Sequence, residues 1–318
     1  MYKFMRHLSL WTMIGMLFVL TGGALVTKTD SGAGCGTDWP LCNGKFVPAY
    51  TIESMIESSH RFVSGIVGLM VLVITILVWT KLKNRKDARF FSAVTLLFTF
   101  FQAWLGAAAV MWSQNDFVMA THFGFSLIAF ASSLLLAFVL RDVDKDPKEQ
   151  SWQLNVINTD VRIRAQFRGF VYVTTLFCLY IVYTGALIRH TESTSGCVGW
   201  PLCNGALIPD LSNTAVAIAF IHRIGSVLLL LVVAGMSWIA LRDYGTVKEI
   251  RFSAYASLVL ILAQIISGGL VALSLTSDLG FLLSSLLHTV LVAALFGILC
   301  YLCALSWQWR TRPADKSI

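Results

Sequence analysis

Eight apolar runs, each long enough to cross about 30 Å of hydrocarbon, constrain this chain before any other feature does. They lie at approximately residues 8–26, 62–79, 90–112, 117–140, 169–188, 214–241, 252–275 and 279–307 of 318. A soluble domain cannot hide a chain that is 57% hydrophobic and 13% charged, so the bilayer is its solvent. Each crossing must then satisfy its own backbone hydrogen bonds, which a helix does. The expected fold is an all-α integral membrane protein with eight transmembrane helices. The first run follows Lys3 and Arg6 and has the look of a signal peptide. It is too long for an ordinary apolar signal core and lacks an A-x-A cleavage site, so a retained helix is expected.

Orientation follows from the positive charge. Of the 24 Lys and Arg, all but Lys28, Lys45, Arg61, Arg189 and Arg223 fall before helix 1, after helix 8, or in the connections 2–3, 4–5 and 6–7. That bias predicts two cytoplasmic termini in a plasma-membrane protein. It also accounts for the net charge of +7 without a nucleic-acid partner.

Two short cysteine loops, GCGTDWPLCNG at 34–44 and GCVGWPLCNG at 196–205, then fall on the outer face. Disulfides persist there. Two close pairs fit two local disulfides, Cys35–Cys42 and Cys197–Cys203, better than a zinc site, because no histidine stands at finger spacing. Cys178, Cys300 and Cys303 lie within helices and read as packing residues.

The loops belong to a longer repeat. At an offset of 162, GALVTKTDSGAGC (23–35) aligns with GALIRHTESTSGC (185–197), SHRFVS (59–64) with IHRIGS (221–226), and Gln102 with Gln264. The chain therefore divides into two pseudo-symmetric four-helix bundles, 1–140 and 169–318, joined by a charged cytoplasmic linker at 141–168. His60 matches His222, and His122 loosely matches His288; His7 and His190 have no histidine partner in the repeat. Helices 2 and 4 of each unit both enter from outside, so each unit carries one histidine pair near its outer end. A single intramembrane histidine is an ordinary polar contact. A matched pair at one depth, found twice, is the arrangement that axial ligation of a haem requires.

Arg61 and Arg223 each follow the first histidine of a pair, on the face that positive charge otherwise avoids, and are candidate contacts for haem propionates. Gln102 and Gln264 read as interhelical hydrogen-bond links. Glu57, one helical turn before His60, has no counterpart: Ala219 stands at its offset. The residues alone leave two readings open for it. In SMIE (54–57) it completes a capping box with Ser54, or it handles protons at the edge of the first haem site.

With paired histidines, an E-x-x-H-R motif in the first half only, TGA-IRHTES in the second and cysteine loops outside, the chain resembles the haem A synthase family over residues 8–307. It is most similar to the Gram-positive type that carries cysteine pairs. The resemblance implies oxidation of the C8 methyl of haem O to a formyl group through a hydroxymethyl stage. It implies that Glu57 is the essential carboxylate, that His60 and His122 bind the substrate haem, and that His222 and His288 bind a resident haem b. It also implies the two outer disulfides, a membrane-lipid setting, and supply of substrate by a haem O synthase; no motif names an electron acceptor or donor. Two other readings compete: a bis-histidine transmembrane b-type cytochrome exchanging electrons with quinone, and a haem transporter or chaperone. The first has no use for a carboxylate in one half only, and the second none for a fixed haem in the other half.

Overall fold

The computed structural model describes residues 1–47, 49–111, 116–141, 143 and 161–310. Eight helices run in chain order: α1 (Tyr2–Lys28), α2 (Ile52–Lys81), α3 (Lys86–Met111), α4 (Asp116–Leu140), α5 (Ala165–His190), α6 (Thr214–Tyr244), α7 (Lys248–Leu273) and α8 (Asp278–Gln308). All eight are long and apolar enough to cross a membrane, so the chain is an all-helical, multi-pass membrane protein. Among the described residues the only β pairings are two isolated bridges, Cys42 with Lys45 and Cys203 with Ala206.

The helices extend beyond the apolar runs because polar residues that emerge from hydrocarbon can continue a helix. This matters most in α2. Its N-cap is Thr51, whose hydroxyl accepts from Ser54 N at 3.3 Å. Ser54 itself donates to Gly34 O at 2.5 Å. The capping-box reading of SMIE is therefore corrected: Glu57 lies inside the helix, more than a turn past the cap, and does not close its start. Similarly α5 begins at Ala165, inside the stretch read as linker; most of that stretch, 142 and 144–160, lies outside the described residues.

α1–α4 pack in a ring, each helix against the next and α4 back against α1, and α5–α8 do the same. The rings meet where α4 lies on α8, flanked by α4 on α5 and α1 on α8. Accordingly α4 and α8 bury 67% and 61% of their apolar windows, against 17–33% for the rest, which face lipid. Lipid is as apolar as leucine, so helices associate through close packing rather than a hydrophobic drive. Small residues supply the approach. A Cβ on Gly124 of α4 would come within 2.5 Å of the Tyr183 ring on α5, and one on Gly297 of α8 within 2.7 Å of Leu134 on α4. On the side away from the cysteine loops, buried Arg85 forks Asp87 at 3.1 and 3.0 Å and donates to Val139 O at 3.4 Å, fixing the α2–α3 turn on the end of α4.

The two cysteine loops fold alike. Each follows a short 3₁₀ turn, Ser31–Ala33 or Ser193–Gly196, contains a cis Trp-Pro bond, and brings its cysteine sulfurs to disulfide distance, Cys35 with Cys42 and Cys197 with Cys203. Asn43 and Asn204 take positive φ (50° and 54°), each followed by a glycine that also does; Asn and Gly tolerate that conformation at a tight reversal. Mapping of the unreduced, alkylated protein should therefore recover the Cys35–Cys42 and Cys197–Cys203 peptides as linked pairs, with label only on Cys178, Cys300 and Cys303 after denaturation. Cross-pairing between the loops would contradict the fold.

Candidate functional site

Each of the four paired histidines sits in a gap left by a glycine on the preceding helix. His60 of α2 faces α1, where a Cβ on Gly22 would lie 3.2 Å from Nδ1 and one on Gly23 3.3 Å from Cε1. His122 of α4 faces Gly106 of α3 at 3.4 Å, His222 of α6 faces Gly185 of α5 at 2.9 Å, and His288 of α8 faces Gly268 of α7 at 3.2 Å. These glycines obey the repeat: Gly23 aligns with Gly185 and Gly106 with Gly268. Sequence reasoning that weighs only chemically active side chains passes over them. The available signal was a glycine held at matched offsets inside helices, where it costs about 1 kcal/mol relative to alanine.

The polar surroundings of the two pairs differ. In the second half, Thr184 Oγ1 is 2.9 Å from His222 Nδ1 and Ser267 Oγ is 2.8 Å from His288 Nδ1. Gln264 places its amide nitrogen 3.0 Å from His288 Nε2, and its buried amide oxygen has no hydrogen-bond partner among the described residues. At the offset of 162, Thr184 corresponds to Gly22 and Ser267 to Leu105, so neither hydroxyl recurs. Gln102 does recur, but it donates to His122 O at 2.7 Å and accepts from Ser126 Oγ at 3.0 Å. Both glutamines thus link the third and fourth helices of their half, as the sequence suggested, one through backbone and one through an imidazole.

Glu57 is buried, 3% exposed. Its Oε2 accepts from Cys35 N at 2.8 Å, and its Oε1 accepts from Arg61 Nη2 at 2.5 Å. Arg61 in turn donates through Nη1 to Asp38 O and Leu41 O at 2.8 and 2.7 Å. One carboxylate therefore joins the helix that carries His60 to the first cysteine loop. In the second half Ala219 replaces the carboxylate, and Arg223 donates directly to Cys197 O at 2.6 Å and Leu202 O at 2.9 Å. Both arginines, expected at propionates, hold loop carbonyls with these donors. The loops press closely on their helices: a Cβ on Gly34 would meet Glu53 C at 2.5 Å, and one on Gly196 would meet Ala215 O at 2.5 Å. Trp200 of the second loop also rests on α7, where a Cβ on Gly269 would be 3.0 Å from its ring. That places the loop across the helices bearing His222 and the seat of His288.

The remaining candidates lie apart. His7 is exposed near the start of α1, and the side chain of His190 lies outside the described residues. Cys178 is buried, and Cys303 meets Thr175 Oγ1 at 3.1 Å between α8 and α5. Among the described residues no three His, Cys, Asp or Glu side chains cluster as a metal-ion cage.

A family model described as "Cytochrome oxidase assembly protein" (COX15-CtaA) matches residues 49–300, a span that holds Glu57 and all four paired histidines. The chain belongs to that family. It is 39% identical over 308 residues to a protein named "Heme A synthase" from Geobacillus kaustophilus, covering 96% of this chain and 92% of the relative. It is 40% identical over 312 residues to the protein of that name from Bacillus licheniformis, covering 98% of each chain. With the Listeria welshimeri protein of that name it shares 38% over 309 residues, 96% of each.

The arginine contacts lead to a test of this family member's first loop. Hydrogen bonds to charged groups contribute about 1.5–3 kcal/mol each. In Arg61→Gln, backbone amides of residues 35–45 should exchange with deuterium about tenfold or more faster, while the loop at 197–206 keeps its wild-type rate. Mass-spectrometric exchange measures both loops in one sample, and equal rates in the first loop would deny Arg61 its anchoring role.

Proposed function

We propose that this chain is a haem A synthase. It takes haem O as substrate and oxidises the C8 methyl to a formyl group through a hydroxymethyl stage. The observation that carries the reading is the inequality of two otherwise matched histidine pairs: one has its imidazoles held by hydroxyls, and the other has a buried carboxylate one turn away.

The residues fit haem ligation. Each pair offers two imidazole donors on different helices of one ring of helices, set in glycine gaps that a Cβ would fill. The orphaned amide oxygen of Gln264 adds, beside His288, a buried polar atom with no partner among the described residues. His222 and His288 would hold haem b, which when bound supplies one-electron redox chemistry. Thr184 and Ser267 at the two Nδ1 atoms fix ring orientation and tautomer, as partners of ligating histidines ordinarily do; the Nε2 atoms would then be the ones offered to the iron, with Gln264 giving up its contact to His288. A permanently held group profits from such locking.

His60 and His122 would hold haem O. Their neighbours at the matching positions, Gly22 and Leu105, lack the hydroxyls of the second half. This suits a ligand that must leave once it has been converted. Replacing two methyl hydrogens by one oxygen is a four-electron oxidation; the electrons must pass to an oxidant outside the chain, and protons are released with them. Glu57, one turn from His60, accepts them as general base, and its bond to Arg61 keeps the carboxylate oriented. A guanidinium has five N–H donors. The loop and Glu57 occupy three on Arg61 and two on Arg223, leaving the others for propionates.

The units 1–140 and 169–318 are thus a substrate half and a cofactor half. Both termini face the cytoplasm, and the disulfide loops cover the haem sites at the outer face of the plasma membrane. A haem O synthase in the same membrane delivers the substrate.

Chromatography of haems from cells that also make haem O tests the reading. Wild type should yield haem A. Glu57→Gln keeps the size of the side chain and one of its two accepting oxygens, enough to hold either Cys35 N or Arg61, but cannot cycle a proton at neutral pH. It should insert, keep haem b and accumulate haem O or the hydroxymethyl form. Haem A at wild-type level from that variant would leave Glu57 as a loop anchor only. In the purified protein, Thr184→Val combined with Ser267→Ala should weaken haem b retention about 10-fold or more. The absorption spectrum reports this, and an unchanged spectrum would reverse or remove the assignment of halves.

A further inference from the structure

At the end of the molecule away from the cysteine loops, four arginines converge on one cavity. Arg162, Arg164, Arg168 and Arg310, with Ile163 and Ala165, line a space of about 600 Å³ where α5 begins and α8 ends. Its wall is tied in place: Ile163 N donates to Trp309 O at 2.9 Å, and Arg164 N donates to the Tyr244 hydroxyl at 3.1 Å. The segment ahead of α5 is thereby fastened to the ends of both α8 and α6.

Among the described residues the positive charge in this cavity is unbalanced. Among the described residues none of the four arginines forms an ion pair. Arg310 donates to Trp307 O at 2.7 Å and stacks on the Trp307 ring at 3.8 Å. The nearby Asp243 carboxylate, within electrostatic reach of Arg164, is already forked by Arg242 at 2.6 and 3.1 Å. The first turn of α5 adds to the imbalance, since it has no side-chain cap and no acidic residue. Its unpaired amides and the positive end of its dipole share the position of the four cations. Like charges gathered in one cavity repel unless an anion lies among them.

We propose that this cavity binds a phosphate-bearing headgroup, that of an anionic membrane lipid. Guanidinium forks match phosphate oxygens in pairs. The cavity is larger than a bare phosphate needs, and it stands at the helix ends, where headgroups lie and where basic pockets between helices select anionic lipid. Trp307, 42% exposed beside Arg310, sits where an interfacial tryptophan meets the headgroup layer. The bound lipid would staple α5 to α8 at the end opposite the histidine pairs.

Native mass spectrometry of the delipidated full chain tests this, in micelles holding equal amounts of phosphatidylglycerol and phosphatidylcholine. Wild type should retain phosphatidylglycerol in preference to phosphatidylcholine. The adduct should fall about tenfold or more in Arg164→Gln/Arg168→Gln/Arg310→Gln, and measurably in Arg310→Gln alone, which leaves the α5 wall intact should the triple variant misfold. Removing equal charge elsewhere at that end, in Lys81→Gln/Lys83→Gln/Lys248→Gln, should leave the adduct unchanged. Equal retention of the two lipids, or phosphatidylglycerol kept by both arginine variants, overturns the proposal. A separate arm adds inorganic phosphate without lipid. Arginine-dependent binding of phosphate, with no preference for phosphatidylglycerol, would assign the site to a soluble anion and overturn the lipid as its source.

Discussion

In hydrocarbon no water is available to complete an unmade hydrogen bond, and no hydrophobic drive pushes one helix against another. Everything specific about this protein must come from how closely its helices approach and from the few polar side chains allowed between them. The glycines that seat the imidazoles do both at once. They let neighbouring helices approach until a ring occupies the space of an absent side chain. A methyl group at Gly185 would stand 2.9 Å from His222, closer than packed carbon atoms tolerate. The four histidines are therefore held by shape before any hydrogen bond is counted.

On that common frame the halves diverge through a small number of residues. Thr184 and Ser267 supply hydroxyls to imidazoles in one half, where Gly22 and Leu105 supply none in the other. Glu57 stands where the other half has Ala219, and each choice changes how the nearby loop is fastened. With the carboxylate present, the loop hangs from Cys35 N and from Arg61. Without it, Arg223 turns its guanidinium onto Cys197 O. A duplicated scaffold can carry two tasks only if such exchanges leave the packing alone. Here each exchange lies at a helix end or beside a ring, and the glycine seats are common to both halves.

Much of this was legible in the sequence because the constraints are strong. A span of hydrocarbon has one length, so the apolar runs located all eight helices. The offset of 162 brought His60 to His222 and Cys35 to Cys197. What escaped was local. SMIE satisfies a capping pattern, so one of the two readings left open for Glu57 put a helix start at Ser54, whereas the cap of α2 is Thr51. Only the approach of Gly34 turns Ser54 and Glu57 toward the loop. The loop contacts of Arg61 and Arg223 were not legible because the carbonyls that accept from them are twenty or more residues away. The hydroxyls on His222 and His288 come from α5 and α7, and no periodicity within α6 or α8 announces them.

The way the two rings meet has a consequence for how the chain reaches its final form. α1 closes its own ring against α4 and also lies on α8, with Lys28 over the Phe281 ring at 5.3 Å, while its Thr27 O accepts from Arg189 of α5 at 2.6 Å. The first helix made thus finds one of its faces only when the last has been inserted, and contacts of such sequence separation form slowly. Until then the seam along α1 and α4 that will meet the second half is lined by lipid alone. The first ring can hold its histidines early. Its inner wall is finished only by the end of the chain.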